Sequence, residues 1–327
     1  MIAVRAERPK AIATLFAVLA VAPFFLPNRY YIYIFNRGFA NALAVIGLVI
    51  LFGMGGQISL GHIAFFTLGA YTSAIFSVKL ALPPAAAMLA GVVVASIWGA
   101  FLSVPAFKLS GPFLSICTVA FGEVVRLLTI NLVSLTNGPY GFYGIPSLSL
   151  FGRRIGSEKA WYYLLWTLLG LAILAAVRLK RSYIGRALAA IREDETAAEV
   201  MGINVRAMKT LAFVCAAFCA GLAGGLYAHM SGFLSPESFT GEQSFSLFSM
   251  TVVGGQESVL GGVAAGVALT LLPELMRFLQ EYYIMIFSLI VLLIVLLPLE
   301  SIRERAEMWI SALTRKGGKV PWGRCSK

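Results

Sequence analysis

Long apolar runs alternate with short polar punctuation along nearly the whole chain. In lipid, an apolar run of about 18 or more residues satisfies its backbone only as a helix. The pattern predicts about ten spans, at residues 11–26, 38–54, 61–80, 84–104, 111–130, 161–177, 211–230, 239–253, 261–279 and 282–297. The run at 239–253 is short and carries Glu242, so it reads as a broken or partly inserted helix. No polar stretch is long enough for a second domain. The predicted fold is all-α, a polytopic integral membrane helical bundle over residues 1–300, with a polar loop at 178–210 and a basic tail at 301–327.

Charge sets the orientation. The net charge of +11 is spread over short segments between apolar runs rather than one compact face, which speaks for membrane orientation and against nucleic acid as a partner. With the N-terminus inside, the inner segments hold eighteen of the 26 Lys and Arg and the outer ones six, with Arg126 and Arg277 inside spans. The positive-inside rule therefore predicts N-in and C-in, with an even number of crossings. The first run, behind Arg5, Arg8 and Lys10, is expected to be an uncleaved span. Ile302, Ala306, Trp309 and Leu313 share one face of the tail, as in a helix lying in the membrane interface. Residues 131–159 are rich in Gly, Pro, Asn and Ser, and predict an outer loop of turns open to an external partner. Cys117, Cys215, Cys219 and Cys325 lack metal-ligand spacing, so no metal is expected; the first three read as packing residues.

Three segments carry candidate chemistry. At residues 53–62, glycines alternate with Gln57, Ser59 and His62 where an apolar run ends. Two readings stand: a helix broken at membrane depth, which can line a translocation path, or a tight cytoplasmic turn. A related Gly-Gly-Gln-x-Ser string returns at 254–258 and hints at an internal repeat. Glu123 with Arg126, and Glu274 with Arg277, are spaced as ion pairs on one helix face, suited either to a gate for a zwitterion or to locking neighbouring helices. The loop at 185–204 predicts two short helices with a bend: Asp194 is an N-cap, Glu195 suits a first turn and Gly202 a helix end. It is either a solvated linker or a helix that docks into another protein's groove.

These segments, with Phe121-Gly122-Glu123, Thr136-Asn137-Gly138-Pro139 and Ser235-Pro236-Glu237-Ser238-Phe239, make the chain from about Gly38 to Pro298 resemble the LivM-type permeases of branched-chain amino acid ABC transporters. The resemblance implies a transport subunit, not an enzyme, of the bacterial cytoplasmic (inner) membrane. It would pair with a homologous LivH-type permease, two ATP-binding subunits that hold ATP and Mg, and a substrate-binding protein outside. It implies coupling to the ATPase through Arg192, Glu193, Asp194, Glu195, Ala197, Ala198 and Gly202, and makes Gln57, Ser59, His62, Glu123 and Arg126 candidates for the translocation path. Thr196 replaces a glutamate of the family's coupling motif, and Glu257 stands where a glycine is more usual. One independent feature agrees: the Gly318-Lys319 pair is followed by Val320 and lacks the upstream glycine of a P-loop, so this chain has no such ATP site. The expected cargo is leucine, isoleucine and valine; related permeases for urea, short amides or sugars, and an ion-coupled secondary transporter, are the alternatives.

Overall fold

A computed structural model describes residues 28–109, 111–150 and 153–275, together with Pro23 and Leu289 singly. The predicted spans at 11–26 and 282–297, the tail, Arg277 and Cys325 lie outside the described residues.

The described chain is a helical bundle. Helix α1 (Arg29–Leu48) continues into a π-helical turn, Val49–Met54. It starts well before the apolar run because the Asn28 side chain caps it, accepting from the Tyr30 N–H at 3.2 Å. Hydropathy alone stops at Asn36 and Arg37, yet a capped helix can carry such residues when partners are supplied. The Asn36 amide donates to the Glu158 carbonyl at 3.1 Å and that of Asn41 to the Thr270 hydroxyl at 3.0 Å. Next come α2 (Ile63–Lys79), α3 (Pro84–Ala106), α4 (Pro112–Asn131) and the single turn α5 (Val133–Thr136). After an outer loop follow α6 (Glu158–Arg181), the short α7 (Tyr183–Glu193) and α8 (Glu195–Val200), and the long α9 (Val205–Ser231). Helices α10 (Gly241–Val253) and α11 (Val259–Leu275) complete the described bundle. Five stretches, Arg29–Met54, α3, α4, α6 and α9, are long and apolar enough to cross a membrane; α2 and α11 are apolar but shorter.

Helix direction alternates between two ends of the bundle. At one, called the loop end, Lys209 near the start of α9 donates to the carbonyl of Ala106, the last residue of α3, at 2.9 Å. At the far end, Lys79 of α2 reaches the Ser134 carbonyl. The interior is closed by small residues: Gly69 of α2, Gly91 of α3 and Gly221 of α9 bring three backbones into contact, so any side chain there would push the helices apart. By contrast, α3 and α4 expose Leu89, Val93, Ile97, Phe101, Phe113 and Ile116, an apolar surface suited to lipid or to another membrane subunit.

The outer loop is more ordered than turn residues alone predict. Two-residue strands β1 (Phe142–Tyr143), β2 (Ser149–Leu150) and β3 (Arg153–Arg154) precede α6, and β4 (Phe233–Leu234) follows α9. They pair antiparallel as β1 with β4 and β2 with β3. The buried His229 ties the loop to the bundle: its Nδ1 meets the Pro146 carbonyl at 2.7 Å and its Nε2 the Ser73 hydroxyl at 2.8 Å.

Candidate functional site

Both Gly-Gly-Gln-x-Ser strings end a helix in the same way. Gly55 and Gly254 are the C-cap residues of the π-turn and of α10, and each is followed by a glycine at positive φ, Gly56 at 67° and Gly255 at 88°, a conformation costly for any residue with a Cβ. Beyond that point they differ. In the second string Ser258 caps the next helix at once, accepting from the Gly261 N–H at 3.0 Å, and the result is a tight turn.

The first string does not turn. Gly56 and Gln57 donate their N–H groups to Phe52 and Leu51, and the chain then runs back along α1 until the His62 Nε2–H donates to the Ala44 carbonyl at 3.1 Å. Ala44 lies ten residues before Met54, so residues 55–62 climb roughly 15 Å from the loop end before α2 begins. The segment is thus an extended stretch packed along α1 and not a tight turn. Gly61 allows this path: a Cβ there would lie 1.7 Å from the Thr118 carbonyl oxygen of α4, while the Leu60 N–H donates to the Thr118 hydroxyl at 3.0 Å. Gln57, Ser59 and His62 are all buried in this segment, and Gln57 Oε1, Ser59 Oγ and His62 Nδ1 have no hydrogen-bond partner among the described residues. Such orphaned groups cost free energy unless water or a passing polar ligand reaches them.

The expected short span at 239–253 is the counterpart from the other side. Residues 232–240 leave the far end as β4 and a 3-10 turn (Pro236–Ser238), and only then does α10 begin. The Ile63 N–H at the start of α2 meets the Ser244 hydroxyl of α10's first turns at 3.4 Å. Two half-helices thus point their N-termini at one another inside the bundle, an arrangement that gives irregular backbone a protein-lined cavity.

The remaining path candidates sit elsewhere. Arg126 donates from Nε to both Glu123 oxygens, at 3.1 and 3.0 Å, and the pair lies on an exposed face of α4, bonded to itself and not to Gln57, Ser59 or His62. Glu274 accepts from the Tyr30 hydroxyl, and its predicted partner Arg277 is outside the described residues.

The loop at the other extreme folds as two short helices with a bend. The Asp194 carboxylate accepts from the Ala197 N–H at 2.9 Å, Glu195 opens α8, and Gly202, at φ 83°, closes it. Ile191, Ala198 and Val205 form a small buried core, so Ala198 packs inward and holds the loop together. Glu193, Asp194 and Ala197 are exposed, and the tip carries Val200 and Met201, which are 82% and 81% exposed. Two adjacent apolar residues so bare on a polar loop offer a contact surface. Sequence reading passed them over because they fill the variable positions between Ala198 and Gly202 of the motif.

Arg192 joins this loop to both glycine strings. Its Nη1 donates to the Gly53 carbonyl at 2.6 Å and its Nη2 pairs with Glu257 at 2.5 Å, while Lys180 donates to the Glu257 carbonyl. Gly53 in turn abuts the second string, for a Cβ on it would lie 1.9 Å from the Gln256 carbonyl oxygen. Lys209, almost wholly buried, pairs with Glu195 at 2.8 Å and fixes α8 to the bundle. Direct bonds thus join α7 to the foot of the broken segment, and α8 to α9.

Comparison with known proteins gives this arrangement a family. Residues 30–296 match the family model described as branched-chain amino acid transport system, permease component. The high-affinity branched-chain amino acid transport system permease protein LivM of Escherichia coli is 33% identical over 86% of this chain and 72% of its own length. The corresponding LivH protein of Salmonella typhimurium is 26% identical over 80% of this chain and 90% of its own. A nucleoside ABC transporter permease protein, NupC, of Lactococcus lactis is 24% identical over 68% and 74%. No solved structure matches the chain. A helical membrane chain, matched over most of its length by that model and by LivM, belongs to the family of branched-chain amino acid transport system permease components.

Proposed function

We propose that this chain is one of two permease subunits of an ATP-driven importer that carries leucine, isoleucine and valine across the bacterial cytoplasmic (inner) membrane. The observation that carries the mechanism is that the loop, whose tip exposes Val200 and Met201 and whose helices pack through Ile191 and Ala198, is bonded through Arg192 to Gly53 at the foot of the broken segment. In this reading the loop at 178–210 faces the cytoplasm and docks on one of two ATP-binding subunits, which bind ATP and Mg. A LivH-type chain completes the path, and an external binding protein delivers cargo to the far end. ATP-driven closure of the ATPases pushes α7 and α8 and switches the cavity between outward- and inward-facing states. The alternation of the described helices, extended by the apolar runs at 11–26 and 282–297, supports ten crossings with both termini on the loop side, and the charge asymmetry favours that side as cytoplasmic.

The resemblance to a permease named for nucleosides supports a second reading in which the cargo changes and the mechanism does not. Uptake of labelled leucine by cells carrying the complete system separates the readings. Deleting this subunit, or inactivating the ATPase partner, should abolish uptake, and a protonophore alone should not. Unchanged leucine uptake on deletion, with loss of another cargo, would overturn the substrate assignment; loss to the protonophore but not to the inactive ATPase would overturn the mechanism.

A further inference from the structure

A cleft opens between the start of α10 and helices α1, α2 and α9, and apart from Ser238 and Phe239 its lining lies outside the motifs above. It holds about 30 Å³ and is lined by Arg37 and Asn41 of α1, Phe66 of α2, Tyr227 of α9, and Phe239 and Gln243 around the start of α10. Its chemistry is specific. Arg37, two turns into α1, is exposed and has neither an ion pair nor a hydrogen bond among the described residues, so its guanidinium is open to a ligand. The N–H groups of Gly241, Glu242 and Gln243, at the start of the 13-residue α10, have no described acceptor, and the Thr240 side chain does not cap them. A cation beside a free helix N-terminus favours an anionic ligand group. Glu242 of that same turn is exposed and forms no ion pair with Arg37.

The opposite polarity is supplied by Asn41. The Thr270 hydroxyl donates to the Gly266 carbonyl at 2.6 Å, so its oxygen must accept the Asn41 Nδ2–H at 3.0 Å, which fixes the amide orientation. Oδ1 remains as an acceptor without a described donor, on a side chain that is only 9% exposed. The apolar wall is a trio of rings in mutual contact: Phe66 with Tyr227 at 5.7 Å, Phe66 with Phe239 at 6.0 Å and Tyr227 with Phe239 at 6.4 Å between centroids.

Deepening the importer reading, and resting on it, we propose that this cleft is the permease's contact for the amino-acid zwitterion. Arg37 and the start of α10 take the carboxylate, Asn41 Oδ1 accepts from the ammonium, and the three rings receive the aliphatic side chain. The present volume accommodates about one water molecule, so the ring wall parts to admit cargo and closes behind it. Urea and sugars offer no carboxylate to Arg37, and the site thus discriminates by class.

Protection of a cysteine tests this in the whole complex, reconstituted with its ATPase and permease partners. Gln243→Cys, in a background without the native cysteines, is labelled with a maleimide in the resting and vanadate-trapped states. Leucine should slow labelling in at least one state, and leucinol, which lacks the carboxylate, should not. Arg37→Gln should remove the protection and lower uptake about tenfold or more, the scale of one charge-assisted pair, with Arg37→Lys retaining part of both. Equal protection by leucine and leucinol, protection that survives Arg37→Gln, or its absence in both states while the wild-type complex accumulates leucine would overturn the proposal. Absence of ATP-dependent leucine uptake by the wild-type complex would instead overturn the importer reading beneath it.

Discussion

Single residues in the loop divide into those that hold it together and those that it presents. Ala198 belongs to the first group, since it is buried against Ile191 and Val205. Ala198→Arg forces a charge into that small core and should destabilise the loop by about 2 kcal/mol or more, read as early proteolysis of the 178–210 segment in membranes. Val200 and Met201 belong to the second group, being almost fully exposed. The double change Val200→Ser, Met201→Ser should leave the loop resistant to protease and reduce copurification of the ATPase subunit about tenfold, as loss of one buried apolar anchor does at an interface. Retention of the ATPase by that variant would contradict the docking role. The motif at 193–202 was legible in the sequence, because capping and glycine rules are local. The division between inward Ala198 and outward Met201 was not, because it depends on how α8 is seated by the Lys209–Glu195 pair and by its small core.

At the scale of elements, hydropathy found the helices and misjudged where they begin and break. The polar residues Asn36 and Arg37 hid the first part of α1, since a hydropathy window cannot know that Glu158 supplies Asn36 with a partner from a distant helix. The two Gly-Gly-Gln-x-Ser strings read alike locally and fold differently: Ser258 finds a helix start to cap, whereas Gly61 finds the α4 backbone to pass against. The Arg192–Glu257 pair gives a direct test. Arg192→Gln and Glu257→Gln each remove the charge pair that ties the loop to the second string, and both should leave ATP hydrolysis near normal while lowering the leucine carried per ATP severalfold. The pair is part-exposed, so its contribution to folding stability is small, on the order of 1 kcal/mol or less. A thermal midpoint near wild type with impaired coupling would separate transmission from stability. Unaltered coupling in both variants would count against the bonded route.

For the whole molecule, a bundle that holds two half-helices is bonded at its loop end to the loop at 178–210. Segment 55–62 is central because it is buried at depth, is not helical, carries three unpartnered polar atoms and touches, at its foot, the arginine of the loop. Composition announced a membrane protein and the charge tally an orientation, but neither could show that the chain turns back on α1. If this segment lines the path, water must reach it in one state and be shut out in another. Site-directed labelling of Ser59→Cys in the otherwise cysteine-free complex measures that most directly. The account predicts that a membrane-impermeant maleimide reacts with it from one side in the resting state, and that vanadate trapping slows this reaction at least about tenfold, as closure of an aqueous gate requires. Equal reactivity in both states, or none in either, would contradict the assignment of residues 55–62 to the translocation path.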